Sequence, residues 1–136
     1  MKADPRPGTP SYSEGYAPPP YNWTDRGKVE QTGQKTCVPA GCYNDVLVIA
    51  ESSKAEGPDA QQLKYYAPGV GYIRVGWSGK GEKLKETLEL TEVVKLTPEA
   101  LAKARAEALA IENRAYQYSR TPPAELMKSE STAGDR

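Results

Sequence analysis

Residues 62–77 read "QLKYYAPGVGYIRVGW", and this stretch predicts a β-hairpin. Its two halves, "QLKYYA" and "YIRVGW", are short runs rich in aromatic and β-branched residues, which favour strands. Pro68, Gly69 and Gly71 mark the turn between them, because the two glycines can take the positive φ that tight turns require. We therefore expect an antiparallel pair of strands at the centre of the fold.

Strand patterns continue on both sides of this hairpin. Upstream, "KVEQTGQKTC" (28–37) is a weak strand candidate, "VPAG" (38–41) is a turn and "CYNDVLVIAES" (42–52) is a strong strand. Downstream, "KLKETLELTEVVKL" (83–96) alternates with a period near two, which predicts one more strand with a mainly apolar face. The sequence thus predicts an antiparallel meander of about four to five strands.

A helix is predicted over about residues 97–118, which makes the fold class α+β. Thr97 suits the N-cap, Pro98 the first helical position, and Glu99 the first turn, where negative charge is favourable. Apolar residues spaced alternately by three and four form one narrow stripe, and its alanines allow close approach to a sheet or to another helix. The stripe contains Leu101, Ala104, Ala108, Ile111, Ala115 and Tyr118.

The two ends of the chain differ from the middle. Residues 1–27 hold six of the twelve prolines and predict a Pro- and Tyr-rich extended arm, while residues 119–136 predict a polar, disordered tail. The meander and the helix then occupy residues 28–118. The arm is either a solvated tail or a segment that packs on its own domain or on a neighbour. Its candidate contact residues are Tyr12, Tyr16, Pro18, Pro19, Pro20, Tyr21 and Trp23.

Composition argues against several classes of function. Lys plus Arg and Asp plus Glu number 18 each, so no net field attracts nucleic acid or an anionic membrane. The chain has no histidine, which removes the commonest general base and metal ligand. We expect no enzyme activity, no metal and no cofactor. The longest apolar run, "VLVIA" (46–50), is far too short to span a membrane, and no signal peptide is recognisable.

The chain has two cysteines, and they flank the "VPAG" turn. A hairpin loop there places Cys37 opposite Cys42, at a separation that a disulfide can span. Two free thiols are an alternative. Metal binding needs about four soft ligands, and a redox pair usually sits at a helix N-terminus, so both fit this context less well. The geometry favours a local disulfide and an oxidising compartment.

The hairpin of residues 62–77 also concentrates aromatic side chains. Tyr65, Tyr66, Tyr72 and Trp77 are expected on both faces of the hairpin. They either fill a core that lacks phenylalanine or line a groove for a lipid, a sugar or a Pro-rich peptide. In the second case the "YAPPPY" segment (16–21) of the arm is a candidate occupant.

Two motifs together, "VPAGCYNDVLVIAE" and "LKYYAPGVGYIRV", resemble an uncharacterised family of bacterial extracytoplasmic β-rich domains. The resemblance implies a secreted protein or lipoprotein with a curved antiparallel sheet, and it implies no activity. The chain differs in carrying Cys42 where Thr or Ser is usual, in adding Cys37, and in lacking the sheet that would precede "SYSEGYAPPPY". It is therefore expected to be a truncated relative, a mature form or a fragment. The matching positions are Val38, Pro39, Ala40, Gly41, Asp45, Val46, Glu51, Lys64, Tyr65, Tyr66, Ala67, Pro68, Gly69, Val70 and Gly71.

These features lead to one preferred function and one alternative. A short meander leaves a sheet edge uncovered, and such edges tend to recruit another strand. We expect a non-enzymatic extracytoplasmic assembly subunit that contacts itself or another protein through its arm and sheet edge. The alternative is a carrier of a lipid or another small ligand that uses an aromatic-lined sheet face.

Overall fold

The computed structural model describes residues 4–21, 24–54, 56–57 and 59–118. The chain divides into two compact units, Met1–Val93, which holds a β-sheet, and Val94–Arg136, which holds a helix. The predicted α+β class is confirmed. The sheet is antiparallel and has six strands, somewhat more than the four to five expected.

The strands follow one another across the sheet in chain order, so each pairs with its neighbour in sequence. The four central strands match the predicted segments to within two residues at each end. Of the two short outer strands, the first was not predicted and the last is much shorter than predicted. The strands are β1 (Tyr12–Ser13), β2 (Arg26–Val38), β3 (Gly41–Ser52), β4 (Gln61–Ala67), β5 (Gly71–Ser78) and β6 (Leu88–Glu89).

Tight turns connect the central strands. β4 and β5 are joined through Pro68, Gly69 and Val70, where the N–H of Val70 donates to the carbonyl oxygen of Ala67 at 3.2 Å. Gly69 and Gly71 have φ of 73° and 98°, a region that side chains disfavour. These two glycines therefore allow β5 to return directly along β4.

The segment 83–96 is mostly not a strand, contrary to its alternating pattern. Within it only Leu88–Glu89 pairs as β6, opposite Val75 and Arg74. Lys85 has a φ of 45°, which interrupts an extended backbone before the pairing begins. Leu84 and Val94 are exposed, so the expected apolar face is not buried. Alternation alone could not reveal that backbone break.

One cluster of the core is formed by residues of β3, β4 and β5. Buried Val46, Ala67 and Ile73 form its centre, and partly buried side chains pack around them. These side chains are Tyr43, Tyr65 and Leu90.

A hydrogen bond joins parts of the sheet that are not neighbours. The N–H of Ala40, in the β2–β3 turn, donates to the carbonyl oxygen of Leu90 at 3.0 Å, just after β6. The N–H of Leu90 donates in turn to the carbonyl oxygen of Ile73 at 2.9 Å. Because Leu90 connects β5 with the turn between β2 and β3, the sheet must curve around its core.

The helix of the second unit, α1, runs from Pro98 to Ala115. The hydroxyl of Thr97 accepts a hydrogen bond from the N–H of Ala100 at 3.2 Å, which is the N-cap expected from the sequence. A turn over Tyr116–Tyr118 follows the last helical residue. None of the residues of α1 is buried.

Candidate interaction surfaces

One row of residues crosses five strands and defines a face of the sheet. The strand register places Tyr12 opposite Gly27, Gly27 opposite Glu51, Glu51 opposite Gln62, and Gln62 opposite Trp77. Residues that face each other across antiparallel strands project from the same side. We call this side the tyrosine face. By the same register it also carries Lys64, Tyr66, Tyr72 and Val75.

Tyr12 attaches the arm to this face by lying over Gly27. A Cβ atom at Gly27 would come within 2.8 Å of the Tyr12 ring and 2.7 Å of the Glu14 carboxylate, so only glycine leaves room for them. Arg26 strengthens the attachment, donating to the Ser11 hydroxyl at 3.0 Å and to the Ser11 carbonyl oxygen at 2.6 Å. The middle of the arm is therefore bound to its own sheet.

Beside Tyr12 lies the most buried ion pair of the sheet's described residues. Glu51, whose side chain is 7% exposed, is bridged to the ammonium group of Lys64. Burial raises the pKa of Glu51 to about 7; hydrogen bonding to Lys64 opposes this rise, and the nearby Glu14 adds to it. Burial alone would lower the pKa of Lys64, but Glu51 outweighs it and the pKa is raised. The pair thus holds a proton that titrates near neutral pH.

The four aromatic residues singled out in the β4–β5 hairpin are divided between the two faces of the sheet. Tyr66 and Tyr72 stack on the tyrosine face, with ring centroids 5.2 Å apart, and the ammonium of Lys85 lies 4.9 Å from the centroid of the Trp77 ring. Tyr65 projects from the opposite face, where the Arg74 guanidinium lies 5.4 Å from its ring centroid. The structure therefore does not bring the four rings into one continuous groove.

A small cavity opens where the segment after β5 meets the tyrosine face. It has a volume of about 130 Å³ and is lined by Gln62, Trp77 and Leu84 together with several carboxylates. Gln62 donates to the Glu86 carboxylate at 2.7 Å across it. Among the described residues, no group of acidic side chains or cysteines is arranged to hold a metal ion. The carboxylates are Asp25, Glu51, Glu56, Glu82 and Glu86.

A second cleft has a volume of about 380 Å³, and no large hydrophobic or aromatic residue of the described ranges lines it. Arg26, Lys54 and Gln61 line it, together with small polar residues. Apolar ligands favour cavities lined mainly by hydrophobic and aromatic side chains. Neither the acidic cavity nor this cleft has such a lining.

The remaining predicted arm residues are exposed where they are described. Tyr16 is 70% exposed and Tyr21 is 82% exposed, and the three prolines between them, Pro18 to Pro20, are also exposed. Trp23 lies outside the described residues. The arm therefore has two parts, with Tyr12 held on the sheet and a following segment that presents its rings to solvent.

The outer edge of β2 is the longest free strand edge among the described residues of the sheet. β1 pairs only with Arg26 and Gly27, although β2 continues to Val38. All six residues from Glu30 to Lys35 are exposed, on both faces. An unpaired edge presents backbone N–H and C=O groups that can accept another strand.

The predicted disulfide is confirmed. Cys37 and Cys42 are paired across β2 and β3, and their sulfur atoms are bonded. The connecting loop contains only Pro39 and Ala40, because β2 extends to Val38 and β3 begins at Gly41. The disulfide therefore links β2 and β3 beside the turn that is hydrogen-bonded to Leu90.

Sequence reasoning missed the contacts of Gly27, Glu51 and Lys64. Gly27 is one of two glycines in β2, and a glycine in a strand can be covered by an aromatic ring. Glu51 directly follows the apolar run "VLVIA", and Lys64 directly precedes two tyrosines in a predicted strand. The sequence did not indicate that these two charges lie diagonally on adjacent strands, close enough to form an ion pair.

Comparison of the chain with protein-family models, with curated proteins and with solved structures found no match in any of the three. Within the described residues, no helix combines the length and apolar character needed to cross a membrane.

Proposed function

We propose that this chain is a non-enzymatic extracytoplasmic assembly subunit, which contacts other subunits through its N-terminal arm and the outer edge of β2. The observation that carries the proposal is the edge itself. β1 occupies two residue positions at one end of the outer edge, and the exposed residues from Glu30 to Lys35 have no described strand partner on the side away from β3. A strand from a neighbouring subunit would complete the backbone hydrogen bonding there.

The arm supports the same function because it begins at that edge. Residues 12–13 pair with the start of β2, and the chain then presents Tyr16 and Tyr21 to solvent. Tyrosine combines a large apolar ring with a polar hydroxyl group and is enriched in protein interfaces. The exposed part of the arm is thus suited to contact the subunit whose strand lies along β2.

The charges of the edge restrict which strand can bind. Glu30 and Lys35 stand at opposite ends of the exposed stretch. The exposed stretch therefore carries one charge of each sign, so two copies of this edge do not repel each other when they approach. Self-association is therefore the preferred form of assembly.

The disulfide supports the extracytoplasmic location. Disulfides persist in oxidising compartments and are rare where thiols are kept reduced. The bond between Cys37 and Cys42 is therefore in keeping with a secreted or cell-surface protein.

A carrier function is the weaker candidate. A carrier of lipids needs an apolar cavity of several hundred cubic ångströms. The cavity on the tyrosine face is lined by five carboxylates, which would repel a fatty acid or another anion. Tyr65 also lies on the face opposite Tyr66 and Tyr72.

The test is a change in association without a change in folding. The variant Tyr16→Ser/Tyr21→Ser in the full chain should reduce the mass measured by light scattering during size-exclusion chromatography and leave the melting temperature unchanged. Leu84→Ser is a matched control, because Leu84 is a similarly exposed apolar residue outside the arm. Equal association of the arm variant and the unmodified chain would contradict the role of the arm.

A further inference from the structure

Helix α1 carries an apolar stripe with the spacing of a coiled coil. Within α1 the stripe residues are separated by three, four, three and four positions, which is the pattern of the two core positions of a heptad. All of them are exposed in the described chain. The stripe residues of the helix are Leu101, Ala104, Ala108, Ile111 and Ala115.

We infer that α1 pairs in antiparallel orientation with α1 of a second copy of this chain. In this pair Ala108 of one helix lies opposite Ile111 of the other, and Ala104 lies opposite Ala115. The inference rests on the proposed assembly function, since it names the partner for one contact of the assembly. It uses a surface that is separate from the arm and from the edge of β2.

The charged residues that flank the stripe favour this orientation. Arg105 and Glu112 occupy one side of the stripe, and Glu107 and Arg114 occupy the other. In antiparallel coiled coils, residues on the same side of the core pair with each other across the interface. Arg105 then lies beside Glu112 of the second copy, and Glu107 lies beside Arg114. Twofold symmetry makes each attractive pair occur twice.

The parallel orientation is disfavoured by the same charges. In a parallel pair, the residue just before the first core position of a heptad lies beside a flanking residue of the other helix. The number of that flanking residue is higher by five. Glu107 would then lie beside Glu112 of the second copy, again twice. Like charges at such positions repel.

The charges also select one register of the antiparallel pair. Sliding one helix by seven residues in one direction places Arg105 beside Arg105 and Glu107 beside Glu107. Sliding it in the other direction places Glu112 beside Glu112 and Arg114 beside Arg114. Only the register with Ala108 opposite Ile111 brings opposite charges together on both sides of the stripe.

The three alanines set the character of the contact. Small core residues allow two helices to approach to about 8 Å between their axes. The 18 residues of α1 give a helix about 27 Å long, so the buried area is small and the pair is expected to be weak on its own. The contact therefore adds to other contacts of an assembly and does not by itself hold it together.

Two flanking carboxylates have contacts within their own helix. Glu107 lies 3.9 Å from the Lys103 ammonium, and the Tyr116 hydroxyl donates to Glu112 at 2.6 Å. Both contacts are at the surface, where ion pairs and hydrogen bonds contribute little to stability. They can persist or rearrange when a second helix approaches.

The experiment is a charge-reversal cycle in the full chain, measured by sedimentation equilibrium. Arg105→Glu and Glu112→Arg should each weaken association about tenfold, because each replaces two attractive pairs with two repulsive ones. The double variant should recover most of the loss. Stronger association of Glu112→Arg would overturn the antiparallel arrangement, since it would relieve the repulsion of the parallel one.

A second pair of variants tests the stripe itself. Ile111 is 58% exposed and Leu109 is 59% exposed, but only Ile111 belongs to the stripe. Ile111→Glu should weaken association, and Leu109→Glu should leave it unchanged, with equal helix content by circular dichroism. Equal effects of the two variants, or a full chain that is monomeric at every concentration, would overturn the helix pairing. Association that depends on the arm but not on Ile111 would overturn this inference and leave the proposed function standing.

Discussion

The backbone N–H of Ala40 donates a hydrogen bond of 3.0 Å to the carbonyl oxygen of Leu90. Ala40 belongs to the turn between β2 and β3, and Leu90 follows β6 at the far side of the sheet. The bond therefore links two regions that the strand order separates, and it encloses the core around Val46 and Ile73.

The side chain of Leu90 should contribute to stability because it packs against that core. Leu90→Ala is expected to lower the free energy of unfolding by about 2 kcal/mol, measured by urea denaturation. Leu88→Ala is the matched control, since Leu88 is exposed in the same segment, and its effect should be below about 0.5 kcal/mol. Equal losses in the two variants would contradict the role given to Leu90.

The disulfide should stabilise the β2–β3 hairpin without being required for folding. The bridge joins residues five positions apart, so its loop entropy corresponds to about 2 kcal/mol. Cys37→Ser/Cys42→Ser should unfold at a lower urea concentration and retain its β-sheet circular dichroism, because Leu90 still holds the turn. Two reactive thiols in the denatured, unreduced chain, or complete unfolding on reduction, would be inconsistent with this account.

Gly27 should be required for attachment of the arm. A methyl group at Gly27 would come within 3.0 Å of the side chains of Tyr12 and Glu14, which must then move away. Gly27→Ala is expected to speed amide hydrogen exchange at residues 12–14 and to leave the central strands protected. Gly76→Ala is the control, because its nearest neighbour, the Tyr65 ring, lies at 3.6 Å, an ordinary contact distance. Unchanged exchange in Gly27→Ala would disprove the attachment.

Glu51 should make stability depend on pH. Burial raises its pKa from 4.5 to about 7 in the folded chain, so the folded chain binds this proton more tightly than the unfolded chain. Its contribution to the free energy of unfolding is present below about pH 4.5 and falls by up to about 3 kcal/mol as the pH rises to about 7. The charged groups that act on Glu51 are Lys64, which lowers its pKa, and Glu14, which raises it.

The variant Glu51→Gln should remove most of this dependence, because its amide does not ionise. Urea denaturation at pH 5 and pH 8 measures the difference, with Glu92→Gln as the control at an exposed carboxylate. If the free energy of unfolding of Glu51→Gln changed with pH as steeply as that of the unmodified chain, another group would be responsible.

The sequence predicted the parts of the fold that local chemistry determines. The turn of Pro68, Gly69 and Gly71 defined β4 and β5, and Thr97 and Pro98 defined the start of α1. These signals lie within a few residues of the structure they specify. The same holds for the disulfide, since Cys37 and Cys42 flank one turn.

Contacts between distant residues could not be predicted in this way. Tyr12 covers a glycine fifteen positions away, and Ala40 bonds to Leu90 fifty positions away. The alternation of residues 83–96 predicted a strand, because a residue pattern does not reveal the positive φ of Lys85. The candidate surfaces depend on these contacts, so the sequence could not show which sheet edge is open or how the arm is held.

Self-association of the full chain can be measured by light scattering coupled to size-exclusion chromatography. We expect a mass that rises above the 14.8 kDa of one chain as the loading concentration increases. The increase should be smaller for Tyr16→Ser/Tyr21→Ser. A constant mass of one chain at the highest concentration reached would contradict assembly.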